Sequence, residues 1–346
     1  VIVRRTPDGA IVDVTPPEIN VRTRVHEYGG GAYVVADGVV YCTNFSDQRV
    51  YRIAVAADAG GSGPQHASLM NPDPLTPPGA WRYADFDIDT RRGRLICVRE
   101  DHTGTSEPVN SLVEVSIAGP QSAGKVLASG ADFYSTPRLS PDGSTLAWLS
   151  WNHPQMPWDG TELWTARVGA SGALEDPVCV AGGRRESIYQ PGWLSDGALY
   201  YVSDRTGWWQ IYSSGRSERA DRANAHAPNV PNVTNDTNVT NDPNVRDAEF
   251  GRAQWAFGTS TWAQAGPSTL VVSYTRAGDW RLATLDVGSG TLTDCATHLQ
   301  PHDWIVANAR YAVLVAEQLH ASGCELLVSV TSAGRIVPLG EPPYFV

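Results

Sequence analysis

The sequence predicts an all-β fold. Three observations carry that reading. Helical periodicity is nearly absent, short β-branched and aromatic runs alternate with Gly, Pro, Asp and Asn turns, and one run recurs along the chain. It reads GVVYCT at 38–43, GRLICV at 93–98, STLAWL at 144–149, GALYYV at 197–202, STLVVS at 268–273 and ARYAVL at 309–314. Its third residues, Val40, Leu95, Leu146, Leu199, Leu270 and Tyr311, lie 55, 51, 53, 71 and 41 positions apart.

Each recurring run keeps the same company. A tight turn precedes it: ADG at 36–38, TRRG at 90–93, SPDG at 140–143 and LSDG at 194–197. Before the turn comes another strand, such as GAYVVA at 31–36 or STPRLS at 135–140. A polar loop follows, then a third strand: RVYRIAV at 49–55, SLVEVSI at 111–117, ELWTARV at 162–168, WWQIYSS at 208–214, WRLATLD at 280–286 and ELLVSVT at 325–331. A weaker fourth strand closes the unit, as in KVLASG at 125–130 and RIVPLG at 335–340. Four strands per repeat of roughly 40–50 residues is the signature of a propeller blade, because stacked blades bury faces that one small sheet cannot.

The expected fold is therefore a β-propeller of about seven four-stranded blades, six to eight fitting the spacing, with the first blade incomplete. A single propeller domain spans 1–346. A partial first blade occupies 1–15, and further blades occupy 28–76, 80–130, 133–182, 187–250, 253–297 and 300–340. The long spacing contains 224-NAHAPNVPNVTNDTNVTNDPNV-245, a polar tract expected to be a disordered insert because it has little to bury. Val1 opens inside a strand-like run, which reads as a cut rather than a natural start.

Composition narrows the function classes. The net charge of −11 repels phosphate backbones, which argues against a nucleic-acid partner. No apolar run reaches the roughly 18 residues of a membrane-spanning helix, so no membrane partner is expected. Cys42, Cys97, Cys179, Cys295 and Cys324 lie far apart with no C-x-x-C pair. They read as free thiols in a reducing, cytoplasmic setting. No metal motif, P-loop or dinucleotide fingerprint is present, and no cofactor is expected. A nucleophile elbow, G-x-S-x-G, is also missing: Gly258-Thr259-Ser260-Thr261-Trp262 comes nearest and fails at its last position. The 12 tryptophans fall mostly at strand or strand-edge positions, where core packing is the default.

In a propeller the turns between first and second strands line one face. The loops between second and third strands, and the entries to each blade, line the other. The first face here carries plain hairpin turns. The second carries His26-Glu27-Tyr28, Trp81-Arg82-Tyr83, Asp132-Phe133-Tyr134, Glu186 to Tyr189 and Glu249-Phe250-Gly251 as entries, with 100-EDHTGTSEPVN-110, 151-WNHPQMPWDG-160, 203-SDRTGWW-209 and 275-TRAGDW-280 as loops. Surface loops this rich in Trp, His and acids point to a docking or binding face. His26, Glu27, Tyr28, Tyr134, Trp158, Asp159, Glu186, Arg205, Trp208 and Glu249 are the candidate substrate-contact or domain-docking residues. The plainest role for the HEY cluster is hydrogen bonding between blades; direct catalysis is not expected. Gly29 to Gly31 supply backbone freedom at a crowded strand entry.

The segments VRTRVHEYGGGAY, WRYADFDID, ICVREDHTG, FYSTPRLSPDGSTLAWLSWNHPQMPWDGTELW, LYYVSDRTGWWQIY and AEFGRAQWAFG closely resemble the propeller half of prolyl oligopeptidase-family (S9) serine peptidases, and most of all the dipeptidyl aminopeptidase/acylaminoacyl-peptidase group. The resemblance implies a non-catalytic propeller that gates and positions small peptide substrates over an α/β-hydrolase catalytic domain of the same polypeptide, a domain absent from this chain. It also implies that propeller acids could bind a substrate's free amino terminus, with Glu27, Glu186 and Glu249 placed for it. The alternative is a stand-alone TolB- or WD40-like scaffold that binds a protein through the same face. A lactonase- or sialidase-like propeller would need calcium-binding acids or an Arg cluster, and the sequence offers neither set.

Overall fold

The computed structural model describes the chain except residues 7–9, 56–71, 121, 215–235, 241–246, 296–298, 302, 319–324, 332–335 and 341–346. Six antiparallel sheets of four or five strands follow one another along the chain and form a β-propeller. The first four are meanders in which sequential strands pair; in the fifth and sixth, two short segments, Ala248–Glu249 with Trp262–Gln264 and Leu299–Pro301 with Val306–Ala307, both pair with the long strand that follows them. The third blade is typical: Phe133–Leu139, Thr145–Trp151, Glu162–Val168 and Leu174–Gly182 pair in that order. A two-stranded hairpin, Val3–Arg5 with Ile11–Asp13, precedes the first full blade.

The core is divided by the blades. One apolar cluster lies in each seam between consecutive blades. Tyr83, Leu95 and Val113 fill the seam of blades 1 and 2 with Val50 and Leu75; Ile96, Leu112, Leu146 and Trp148 fill that of blades 2 and 3. Leu163, Leu199 and Tyr201 lie between blades 3 and 4, Ile211, Leu270 and Leu285 between 4 and 5, and Val271, Ile305 and Leu314 between 5 and 6. The alternation along each central strand sends neighbouring residues into opposite seams, as with Leu95 and Ile96. The hairpin and its following turn cover the outer part of blade 1, where Val14 and Ile19 meet Val40, Cys42 and Ile53. Tyr33 and Val35, opposite Cys42 and Val40, stay 53% and 52% exposed. The hairpin is thus half a blade, and the described residues form six full blades.

Inner strands share a repeated device. Asp85, Thr136 and Gln190 each have positive φ (56°, 52° and 48°) at a bulge in the pairing of the first two strands. The Asp85 and Gln190 bulges turn polar side chains toward the next blade. Asp85 accepts the Thr136 N–H (2.6 Å) and pairs with Arg138 (3.1 Å); Gln190 accepts the Thr261 N–H (2.6 Å) and donates to the Trp262 carbonyl (2.7 Å). Asp87 accepts the Leu139 N–H (2.6 Å), and burial raises its pKa against the pull of Arg138. The seams are therefore stitched at the ring centre and greased further out.

Two expectations need correction. The polar tract 224–245 is not wholly outside the fold. Thr237–Asn238 pairs with Gln210–Ser214 as the fourth strand of blade 4, and Val239 and Thr240 behind it are 5% and 0% exposed. The rest of that tract, 224–235 and 241–245, lies outside the described residues. The blade division also shifts: Ala248–Glu249, placed by sequence in the 187–250 blade, pairs with Thr275 and Arg276 of the fifth sheet.

Candidate functional site

On the loop-rich face a cleft of about 690 Å³ opens over blades 1 to 3. It is built from blade entries and second-to-third-strand loops, together with residues 254–257 from the entry of blade 5. The HEYGGG stretch forms one wall. Residues 24–29 turn back on themselves, with the Gly29 N–H donating to the Val25 carbonyl (3.0 Å) and His26 and Glu27 at φ 51° and 65°. Non-glycine residues adopt this region rarely, and it is held here by the packing around it.

The glycines serve a close approach. Residues 252–258 leave blade 5 and reach across the ring to blade 1. Phe257 donates its N–H to the Gly29 carbonyl (2.9 Å) and its ring enters the seam of blades 2 and 3. A Cβ on Gly30 would lie 2.3 Å from the Phe257 carbonyl oxygen, and Gly30 has φ +88°. Only glycine satisfies both conditions.

Aromatic rings line the cleft in two groups. Tyr28 meets Trp255 (5.6 Å between centroids), which leans on Trp158 (4.4 Å). Opposite them Phe133 stacks on Trp151 (5.4 Å), and the His26 ring sits edge-on to both and 4.8 Å from Phe257. Tyr28, Val109, Met156 and Trp255 remain strongly exposed, so the rim is apolar as well.

Polar groups are set among these rings. Glu100, 5% exposed, accepts the backbone N–H of His26 (2.6 Å) and contacts His102 (3.0 Å) and Arg82 (3.5 Å). Asp132 accepts both the backbone N–H (2.9 Å) and Nδ1 (3.1 Å) of His153, and these bonds hold its carboxyl below the usual range. Burial pushes the His26 imidazole down to about 4, while the Asn110 side chain beside it works the other way. Even so, neither His26 Nε2 nor Asn110 Oδ1 completes a hydrogen bond. Four carboxylates, Glu27, Glu100, Glu107 and Asp132, line the cleft against one guanidinium, Arg82. Among the described residues no cluster of His, Cys, Asp or Glu is arranged to hold a metal ion.

No family model and no curated protein matches the chain. Solved structures match it closely. Puromycin hydrolase, also solved complexed with PGG, superposes with a TM-score of 0.82 and 31% identity over 99% of this chain and 50% of that one. A Mycobacterium tuberculosis puromycin-hydrolyzing peptidase gives a TM-score of 0.78 and 29% identity over 96% of this chain and 48% of that one. This chain is a propeller domain of the prolyl oligopeptidase (S9) family. It spans about half the length of those relatives. Prolyl oligopeptidase B from Galerina marginata, at 11% identity and a TM-score of 0.60, shares the fold.

Within this S9 propeller the residues singled out by sequence scatter. His26, Glu27, Tyr28 and Trp158 line the cleft. Asp159 holds its loop by accepting the Met156 N–H (3.0 Å). Tyr134 is 3% exposed; its ring lies in a seam and its oxygen accepts the Ala131 N–H. Trp208 is 41% exposed, away from the cleft. Glu186 and Arg205 pair with each other at 2.9 Å. Arg205 also meets Asp236 (3.1 Å) and the Tyr201 hydroxyl (3.0 Å) and stacks over Tyr212. Glu249 accepts the Trp209 N–H (2.6 Å), and burial raises its pKa. Sequence reasoning passed over Glu100, Asn110, Phe133, Trp151, Gln254 and Trp255 as site residues, although most lie in the loops and entries it assigned to this face.

Proposed function

We propose that this chain is the non-catalytic propeller of an S9-type serine peptidase, and that its loop-rich face forms one wall of the chamber in which small peptides are held. The observation that carries the proposal is the cleft: aromatic, acidic, partly unpaired, and confined to that face. In this reading an α/β-hydrolase domain supplies Ser, Asp and His, and the propeller selects by size and positions the substrate. The names of the relatives at 31% and 29% identity support a small amide substrate, since both hydrolyse puromycin. The four described cysteines are free, which supports a cytoplasmic setting.

The test is a chimera. The chain replaces the propeller of puromycin hydrolase, joined to that enzyme's remaining half. Restored cleavage of short peptides, with folded proteins excluded, is expected. A chimera no more active or selective than the isolated remaining half would overturn the reading. The exposed Tyr28, Val109, Met156 and Trp255 also suit a protein-binding scaffold, which that negative result would favour.

A further inference from the structure

A second cavity, of about 380 Å³, opens at the end of blade 2 opposite the cleft. Arg94 in the cavity and Glu100 in the cleft belong to one strand, Arg94–Asp101, so the two sites lie roughly 20 Å apart along it. The cavity lining is rich in donors. Arg92, Arg94 and Lys125 supply cations, and Ser116, Ser122 and Ser171 supply hydroxyls. Ser171 comes from the turn between Glu162–Val168 and Leu174–Gly182 of blade 3, so two blades share these donors. Each hydroxyl oxygen already accepts a backbone N–H two residues on, from Ala118 (3.1 Å), Gly124 (3.2 Å) and Ala173 (3.4 Å) respectively. The hydroxyl protons are left to donate.

Arg94 is set into the floor and is 4% exposed. Its Nε donates to Asp89 (3.0 Å), and its Nη1 to Glu114 and to the Gly172 carbonyl (2.8 Å). Nη2 is buried without a hydrogen bond. Native proteins rarely leave such a group unpaired, and a charged one is costly to leave so. Gly172 closes over the guanidinium: a Cβ there would lie 2.6 Å from Nη1. Acceptors are scarce by contrast. Glu114, the one carboxylate in the lining, is shared by Arg94 and Lys125 (3.4 Å), and Asp89 beneath is shared by Arg92 and Arg94. Cations therefore outnumber carboxylates here, in a chain whose net charge is −11. We propose that this cavity binds a phosphate group, either the free ion or a small phosphate monoester. A tetrahedral dianion offers acceptor lone pairs in three dimensions, which suits guanidinium, ammonium and hydroxyl donors converging from two blades. The cavity is separate from the cleft, and its ligand does not depend on the peptidase reading.

The test is calorimetry on the chain at constant ionic strength with inorganic phosphate, glycerol 3-phosphate and acetate. Saturable binding of one phosphate per chain is expected, with acetate at least about tenfold weaker. Tighter binding of glycerol 3-phosphate than of inorganic phosphate would assign the site to monoesters, and the reverse order to the free ion. Lys125 and Ser171 are exposed, so their variants should fold. Lys125→Met should weaken phosphate about tenfold and Ser171→Ala about threefold. Arg281→Met removes the same charge from blade 5 and should leave the affinity unchanged. No saturable binding, acetate as tight as phosphate, or equal losses in Lys125→Met and Arg281→Met would overturn the proposal.

Discussion

Two polar clusters on the same face draw on the same kinds of residue and end up as opposites. The blade 4 cluster joins Arg205 to Glu186, Asp236, Tyr201 and Tyr212, so that its guanidinium is paired and stacked. The cleft over blades 1 to 3 leaves His26 Nε2, Asn110 Oδ1 and Gln254 Oε1 unpaired and several aromatic faces open. A saturated network fastens the chain; an unsaturated one is ready to receive something. Residue type alone does not separate the two, whereas completeness of pairing does.

The contrast can be broken by substitution. Asp236→Ala removes a side chain 4% exposed from beneath Arg205 and Tyr201. A loss of about 3 kcal/mol in unfolding free energy is expected, because the partly buried Arg205 loses one of its two carboxylates and the Tyr201 hydroxyl loses its acceptor. Binding of short peptides in the cleft should be unaffected, and urea unfolding combined with peptide titration reads both.

The next effect is on pH. His26 protonates near 6.5 when unfolded and near 4 in the fold. Between those values the unfolded chain binds the extra proton, so stability is full above pH 6.5 and falls as pH drops toward 4. From pH 7 to 4.5 the wild type should lose about 2 to 3 kcal/mol more than His26→Gln, whose carboxylates titrate alike. Parallel unfolding curves for the two proteins would contradict the buried, neutral imidazole. Gly30→Ala should cost about 2 kcal/mol through left-handed strain and the clash with the Phe257 carbonyl. It should also displace residues 254–257 and weaken the cleft, a coupling that Asp236→Ala lacks. At the small end, Trp208→Ala and Glu27→Gln touch exposed side chains and should stay within about 0.5 kcal/mol of wild type.

Much of the fold was legible because blades repeat. The recurring central run became the second strand of every full blade, and the sorting of loops by face put the HEYGGG entry and the 100–110 and 151–160 loops around one cleft. Pairing across loops was not legible. Glu186 and Arg205 looked available because nothing local shows that they meet, and Asp236, which joins them, sits in a tract that composition assigned to disorder. One short strand needs only Val239 and Thr240 to bury, too little to alter the composition of its surroundings. Asn110 and Gln254 lie in segments the sequence singled out, the 100–110 loop and AEFGRAQWAFG, but being uncharged they carried no chemical signature of their own. Their importance lies in what they fail to bond, which a sequence cannot display. The reach of residues 252–258 across the ring was hidden for a similar reason: the three glycines announced a close approach without naming Phe257 as its partner.

The most direct measurement is an NMR titration of the indole N–H resonances with a short peptide. The account predicts that the signals of Trp151, Trp158 and Trp255 move together and saturate, while Trp208 and Trp209 near the blade 4 cluster stay still. Movement of the Trp208 and Trp209 signals with a silent cleft would contradict it.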